Sequence, residues 1–376
     1  MTAIRGWCPS LHEPMQTGDG LLVRVKPPLG LLPAAAARAL AAAALEHGNG
    51  AIELTGRGAL QFRGLSPVSA PRFAAVAVHL GLAAADPAAE RRRSVVVSPL
   101  AGCDPAVAPA TLALARALEA AIVADDALRA LPAKFGFAVD GAGALPVGEG
   151  ADISLVAAGD DWFVVPDGAG AVRVTTEDAV GTALRMAHTF LRQARGERRM
   201  RAVAQDVVAV MGLAPEPLAR PAPRPPIGPL PGGLIGVGAP FGALDGAALN
   251  ELAAGDGVLR LTPWRAIILP AARMAAAAAL GFIVSPDDPR LLVSACPGQP
   301  ACASATVDTR GLAARLRPLP GVTVHVSGCS KGCAHPLPAK LTLVGQDGRF
   351  AAVRNGRAGD PPLLGGLTPA EAMELQ

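Results

Sequence analysis

Two stretches of the chain repeat one pattern of apolar and polar positions. The run GLLVRVKPPLG, Gly20 to Gly30, lines up with GGLIGVGAPFG, Gly232 to Gly242, and IELTGRGALQF lines up with LRLTPWRAIIL further on. In each copy a β-rich run reaches Pro-x-Gly, an Ala/Leu helix follows, and a second β-run carries Leu-Thr. The helices are expected over Leu32 to His47 and Leu244 to Ala254. From Gly30 to Thr55 the interval is 25 residues and from Gly242 to Thr262 it is 20, a difference that belongs in a loop or a helix end. Two copies are too few for a solenoid and predict a pseudo-twofold arrangement of related halves.

Between the copies, RRRSVVVSPLAG predicts a strand ending in a loop, Pro109 to Leu131 a helix, and DISLVAAG with DWFVVP a hairpin. A long helix is expected over Thr176 to Met211, opened by a capping box of Thr175 and Asp178. The tract Leu213 to Gly233 is Pro-rich and reads as an extended linker. Beyond the second copy, Leu291 to Val293 and Val322 to Val326 read as strands that each run into a pair of cysteines, and Leu341 to Val344 as one more. The expected division is a half-domain over 1–75, an α/β lobe over 90–212, the linker over 213–231, a second half-domain over 232–284 and a cysteine-bearing lobe over 289–376.

A chain of 376 residues fits two or three domains. Apolar residues make up 51% of it, but the alanine-rich segment ILPAARMAAAAALGFIV is interrupted by Pro270 and Arg273, so no membrane helix is expected. The first residues, MTAIRGWCPSLHEP, lack the apolar core of a secretory signal, which points to the cytoplasm. Lys and Arg number 34 against 31 acids and aromatics are 3%, which argues against a nucleic-acid surface. In a reducing compartment, clustered cysteines are metal ligands more often than disulfides.

Four of the six cysteines form two pairs. Cys296 and Cys302 are spaced C-x5-C with Pro297 and Pro300 between them; Cys329 and Cys333 are spaced C-x3-C beside Gly328 and Gly332. Structural zinc usually takes knuckles of C-x2-C to C-x4-C, so the first pair is wide for one ion. A [4Fe-4S] cluster has a larger footprint and takes four thiolates, with backbone amides free to donate to sulfur. Spacing leaves a cluster, zinc and unmetallated thiols all open. Cys8 and Cys103 are isolated and read as incidental thiols.

The paired cysteines, LTGRGALQF in a duplicated half-domain, and Arg24 in LVRV, Arg93 in RRSVV and Lys134 in LPAKF together resemble the siroheme-dependent sulfite and nitrite reductase superfamily. That resemblance implies a mixed α+β fold, with two ferredoxin-like half-domain repeats and two α/β lobes that bind an iron–sulfur cluster and a tetrapyrrole in a pseudo-twofold architecture. It also implies a [4Fe-4S] cluster on Cys296, Cys302, Cys329 and Cys333. Arg24, Arg57, Gln61, Arg93 and Lys134 would grip a tetrapyrrole's carboxylates. Sulfite reductases carry a second lysine where this chain has Gly136. The segments WCPSLHEPMQTGDGLLVRV and GCSKGCAHP are closely similar to the cobalamin-biosynthetic branch, which turns precorrin-3A into precorrin-3B.

Membership of that branch implies hydroxylation of the macrocycle and lactone closure with O2 and NADH as co-substrates, a non-heme iron besides the cluster, and a separate electron-donating reductase, because no Gly-rich dinucleotide fingerprint is present. The GAGALPVGEG run is a loop. No histidine forms an H-x-D/E pair; His12 and His335 are the candidates for the second iron, and neither is assigned. In the repeat alignment Arg24, Lys26 and Arg57 stand opposite Gly236, Gly238 and Trp264, so the first copy is expected to hold the anionic ligand. Lys26, Arg63, Arg91 and Arg92 read as solvated surface charges. The rival readings are a short siroheme-dependent reductase and a non-catalytic iron–sulfur or tetrapyrrole carrier.

Overall fold

The computed structural model describes residues 9–222 and 224–375, so Cys8 lies outside the described residues. The first half-domain runs β1 (Met15–Thr17), β2 (Gly20–Val25), β3 (Leu31–Pro33), α1 (Ala34–His47), β4 (Ala51–Leu54), β5 (Leu60–Leu65) and α2 (Ser69–His79). After α3 (Pro87–Arg92), the first lobe comprises β6 (Val95–Val97), α4 (Thr111–Ala124), β7 (Phe137–Asp140), β8 (Ile153–Ala158), β9 (Asp161–Pro166), β10 (Val172–Val174), α5 (Thr176–Gln193) and α6 (Ala204–Val210). The second half-domain follows with β11 (Gly228–Leu230), β12 (Leu234–Gly238), β13 (Ala243–Asp245), α7 (Gly246–Leu252), β14 (Val258–Leu261), β15 (Ala266–Pro270) and α8 (Met274–Ala279). The last lobe holds β16 (Val293–Ala295), α9 (Thr309–Ala313), β17 (Val324–Ser327), β18 (Ala339–Gln346), β19 (Arg349–Gly356), β20 (Leu364–Leu367) and α10 (Pro369–Met373).

The half-domains exchange a strand. One sheet is ordered β1-β2-β5-β4-β13 and the other β11-β12-β15-β14-β3, so the strand after each Pro-x-Gly completes the partner's sheet. Leu32 pairs with Leu259 and, reciprocally, Leu244 pairs with Ile52. The turn that sends each strand across has two successive left-handed residues, Leu29 (φ 54°) and Gly30 (φ 71°) in the first copy, Phe241 (φ 58°) and Gly242 (φ 72°) in the second. Proline fixes the residue before them, and Gly30 N–H donates to Pro27 O at 2.9 Å as Gly242 N–H donates to Ala239 O at 2.8 Å. The five-residue difference between the copies is met by a helix of 14 residues in α1 against 7 in α7, offset by a longer loop before β14.

Strand alternation gives the first sheet two different faces. Val23, Val25, Ile52, Leu54, Leu60 and Phe62 point one way and pack on α1 and α2, in a core continuous with Ile235, Val237, Leu259, Leu261, Ile267 and Leu269 of the other half. Arg24, Gln61 and Glu53 point the other way and lie directly opposite one another across three strands. In the second sheet the positions of Arg24 and Lys26 are Gly236 and Gly238. A Cβ on Gly236 would come 1.5 Å from Pro226 O, and one on Gly238 3.1 Å from Ile227 Cδ1. The second copy's polar face is therefore covered by the chain's own Pro-rich tract.

That tract is more than a linker. Glu216 bridges to Ala171, and 228–230 adds β11 to the edge of the second sheet. The long helix expected over 176–211 is two: Arg195 (φ 46°) and Gly196 (φ 93°) turn the chain between α5 and α6. Thr175 caps α5 by accepting from Asp178 N–H, but the Asp178 carboxylate takes the Thr175 hydroxyl at 3.0 Å instead of a backbone N–H, so the box is only half closed.

The two lobes share one topology that the sequence does not advertise. Three parallel strands followed by two antiparallel ones run β6-β7-β8-β9-β10 in the first lobe and β16-β17-β18-β19-β20 in the last. Even a local contact repeats: Gly141 N–H, after β7, donates to Ser98 Oγ at 2.9 Å, and Gly328 N–H, after β17, donates to Cys296 Sγ at 3.1 Å. No helix among the described residues is long and apolar enough to cross a membrane.

A Cβ on Gly30 would sit 2.9 Å from Leu261 O, whereas one on Gly255 (φ 84°) meets nothing within 4 Å. Forcing alanine to a positive φ costs roughly 1–2 kcal/mol. Gly255→Ala should lose about that much in urea-midpoint measurements and Gly30→Ala clearly more. Equal losses would mean that Leu261 exerts no steric demand on the crossing turn.

Candidate functional site

The polar face of the first sheet opens onto a cavity of about 760 Å³. Its other walls come from the start of the first lobe (Arg93 to Val97, Lys134, Arg199) and from Leu261 and Pro263 at the end of β14 in the second half. Seven cationic side chains line it against two acidic ones, Glu13 and Glu119. A smaller chamber of about 350 Å³ adjoins it and shares Arg57, Ser94, Val96, Arg199 and Pro263; Gly136, Trp264 and the loop from Pro146 to Ala151 complete it.

Of the five residues expected to grip the ligand, four line the cavity: Arg24, Arg57, Arg93 and Lys134. Arg57 donates to Lys134 O at 3.0 Å, which draws the half-domain turn and the lobe together. Arg93 is largely spent on protein: it lies 2.6 Å from Glu90, 3.7 Å from Glu119, and donates to Lys26 O at 3.1 Å. Gln61 does not line the cavity. It stands behind Arg24, accepting from its guanidinium at 2.7 Å and donating to Glu53 at 2.7 Å.

The surface reading of Lys26 and Arg63 is overturned. Lys26 lines the cavity, with Nζ donating to Arg93 O at 2.8 Å and Glu90 O at 3.3 Å. Burial, opposed by Glu90 and reinforced by Arg93 and Arg24, pulls its pKa down to about 8. Period-two alternation from Arg24 would have placed it on this face. Arg63 is buried, bidentate to Asp19 at 2.9 and 3.0 Å, and donates to Ala301 O at 2.6 Å. Arg92 is half-buried, its side chain turned inward against Asp125 O and Asp126. Arg91 is exposed as expected and pairs with Glu13. Arg199, which no sequence signal marked, is fixed by Asp152 at 2.9 Å and Gly150 O at 2.7 Å. Burial raises the pKa of Glu119.

Cys296 and Cys302 follow β16, and Cys329 and Cys333 follow β17, neighbouring parallel strands that deliver both loops to one end of the last sheet. Desolvation, then Cys329, Cys296 and Cys302, push the Cys333 thiol up, although the residue itself reaches the surface. Among the described residues no group of three or more His, Cys, Asp or Glu is gathered for a single ion. The Gly328 amide donates to Cys296 Sγ, the kind of backbone bond to sulfur that iron–sulfur sites also use. A Cβ on Gly328 would strike Ala305 Cβ at 2.5 Å, so this close approach requires glycine.

Cys103 belongs to the first lobe, 2.8 Å from an Arg260 guanidinium nitrogen, and takes no part in this group. His12 Nε2 lies 2.8 Å from Ala84 O. His335 packs edge-on against His325, ring centroids 5.7 Å apart. His325 is fully buried, finds no hydrogen-bond partner for either ring nitrogen, and has its pKa pushed down to about 4 by burial, then by His335 and Arg265.

Residues 13–76 match the family model described as the nitrite/sulfite reductase ferredoxin-like half domain. A precorrin-3B synthase from a Sinorhizobium species is 36% identical over 393 aligned positions, which cover 95% of this chain and 84% of that protein. The chain belongs to the precorrin-3B synthase family. The solved structure of the Mycobacterium tuberculosis NirA protein superposes with a TM-score of 0.69 at 20% identity, over 94% of this chain and 79% of that one. This likeness speaks for the fold, a mixed α/β pseudo-twofold architecture.

The lowered pKa of Lys26 gives the cavity a pH dependence. Between about 8 and 10.5 the folded chain has released a proton that the unfolded chain still holds, so this group adds stability as pH rises through that window. Anion binding runs the other way, because it needs the ammonium. The affinity for benzenehexacarboxylate, measured by calorimetry, should fall as pH passes about 8, and Lys26→Arg, charged throughout, should flatten that fall. An unchanged profile in the variant would remove Lys26 from ligand binding.

Proposed function

We propose that this chain converts precorrin-3A to precorrin-3B by oxygen-dependent hydroxylation and lactonisation in cobalamin biosynthesis, working in the cytoplasm. In this reading Cys296, Cys302, Cys329 and Cys333 hold a [4Fe-4S] cluster. A non-heme iron would serve besides the cluster, and NADH would be the reductant through a separate reductase. The observation that carries the reading is the cation-lined cavity of about 760 Å³ on the first half-domain, in a chain 36% identical to a precorrin-3B synthase. When bound, the cluster would supply single electrons and the iron would activate oxygen, which reacts sluggishly with closed-shell organic molecules.

The chain's own residues would bind and orient the macrocycle. Arg24 and Arg57 are planar forks that engage carboxylates bidentately and stay charged at every working pH. Lys134 adds a point charge beside Arg57, and Lys26 is pinned by two carbonyls so that its remaining proton can meet a carboxylate. Gln61 fixes the plane of the Arg24 guanidinium. The apolar walls, Val95 to Val97 with Leu29 and Leu261, exclude water from the ring face. Holding a rigid ring by several carboxylates positions one meso carbon, which is where such a protein lowers the barrier. Gly136 faces open space beside the smaller chamber, so the second lysine of the sulfite reductases has no counterpart here.

The first test is an anaerobic absorption and electron paramagnetic resonance spectrum with iron, sulfide and siroheme quantified. An iron–sulfur signal, iron in excess of sulfide and no siroheme are expected, followed by oxygen uptake on adding precorrin-3A. Extracted siroheme would return the chain to the reductases, and binding of precorrin-3A without oxygen uptake would make it a carrier. Removing one charged hydrogen bond costs about 1.5–3 kcal/mol, so Lys134→Ala should weaken precorrin-3A binding roughly 10- to 150-fold. A dissociation constant within twofold of the parent would exclude Lys134 from the site.

A further inference from the structure

The cavity and the cysteine loops are joined by hydrogen bonds, an ion pair and one step along the chain of α9, all centred on one buried carboxylate. Arg24 donates to Gln61 at 2.7 Å, and Gln61 donates to Glu53 at 2.7 Å. The other Glu53 oxygen accepts from Arg310 at 2.5 Å. Arg310 lies on α9 next to Thr309, whose hydroxyl donates to Cys296 O at 2.6 Å. A second arm leaves Glu53 through Arg63, 3.5 Å away, which donates to Ala301 O at 2.6 Å, one residue before Cys302. Both cysteines of the first pair are thus tied to the carboxylate that sits behind the cavity's Arg24.

Glu53 is 7% exposed and faces Arg63 and Arg310 directly, with the cation of Arg265 close enough to feel it. A buried charge in such company is held by its partners, and a change at one partner is felt by the rest. A ligand carboxylate arriving at Arg24 competes with Gln61 for the guanidinium and shifts the charge balance around Glu53 toward Arg63 and Arg310. We propose that Glu53 is a positioning residue that couples carboxylate binding at Arg24 to the cysteine centre, so that an occupied cavity changes the reduction potential of the group held there. The proposal rests on the reading of the site given above.

By linkage, a ligand that binds the oxidised and reduced protein with different affinity moves the potential by the same free energy. A tenfold preference for the oxidised form corresponds to about 59 mV for a one-electron couple. The holoprotein is titrated under argon by electron paramagnetic resonance, with and without saturating precorrin-3A, alongside Glu53→Gln and Arg310→Gln. The parent is expected to show a downward shift equivalent to about tenfold. Both variants are expected to bind the ligand yet lose most of that shift. Arg310→Gln leaves the cavity wall untouched and decides the matter if Glu53→Gln fails to fold. A shift of full size in the variants, or none in the parent with cluster and ligand both bound, overturns the coupling alone. A parent that takes up no cluster or no precorrin-3A overturns the reading of the site as well.

Discussion

Neither half-domain owns a complete sheet. Each ends in a strand donated by the other, through a Pro-x-Gly turn whose two left-handed residues leave the chain nowhere else to go. An open sheet edge invites wrong pairing, and the reciprocal exchange covers the edge of β4 in one sheet and of β14 in the other at once. It also sets the relative position of the halves to within a hydrogen-bond register. The cavity depends on that accuracy: Leu29 and Gly30 of the crossing turn line it together with Leu261 of the strand that receives the exchanged one.

Much of this was legible because it rests on local rules. Period-two alternation and the Pro-x-Gly repeat located both halves, and the strands before each cysteine pair were visible as short β-branched runs. What was hidden depends on partners distant in the chain. Lys26 and Arg63 look like surface cations in sequence, because the groups that bury them are Glu90 and Arg93 for one, and Asp19, Glu53 and Ala301 for the other. The break between α5 and α6 was hidden because Arg195 carries a left-handed conformation that sequence favours only for glycine and asparagine. Gln61 was expected to grip the ligand itself, and only the cross-strand register shows that it stands behind Arg24 instead of in the cavity.

The duplication of the lobes is deeper than the residues suggest. Strand order and direction are the same in both, while the chemistry at one matched position has diverged from the Ser98 hydroxyl to the Cys296 thiol, each receiving a glycine amide. The oxygen version makes an ordinary neutral hydrogen bond that also reaches Asp140. The sulfur version places the amide on Cys296, the first member of the two cysteine pairs. The framework that presents the cysteines is therefore a general feature of this lobe, and the side chains alone specialise it.

The tract from Pro226 to Gly228 settles a matter of valence. A scaffold made of two matched sheets could offer two matched receptor faces, but the second face has no room for any side chain at 236, since the carbonyl of Pro226 already fills that space. Handedness of recognition is thereby imposed on a nearly symmetric body by a segment that belongs to neither repeat. Restoring the missing arginine to the second copy would not create a second receptor. The tract would first have to be lifted away, and the edge strand β11 would go with it.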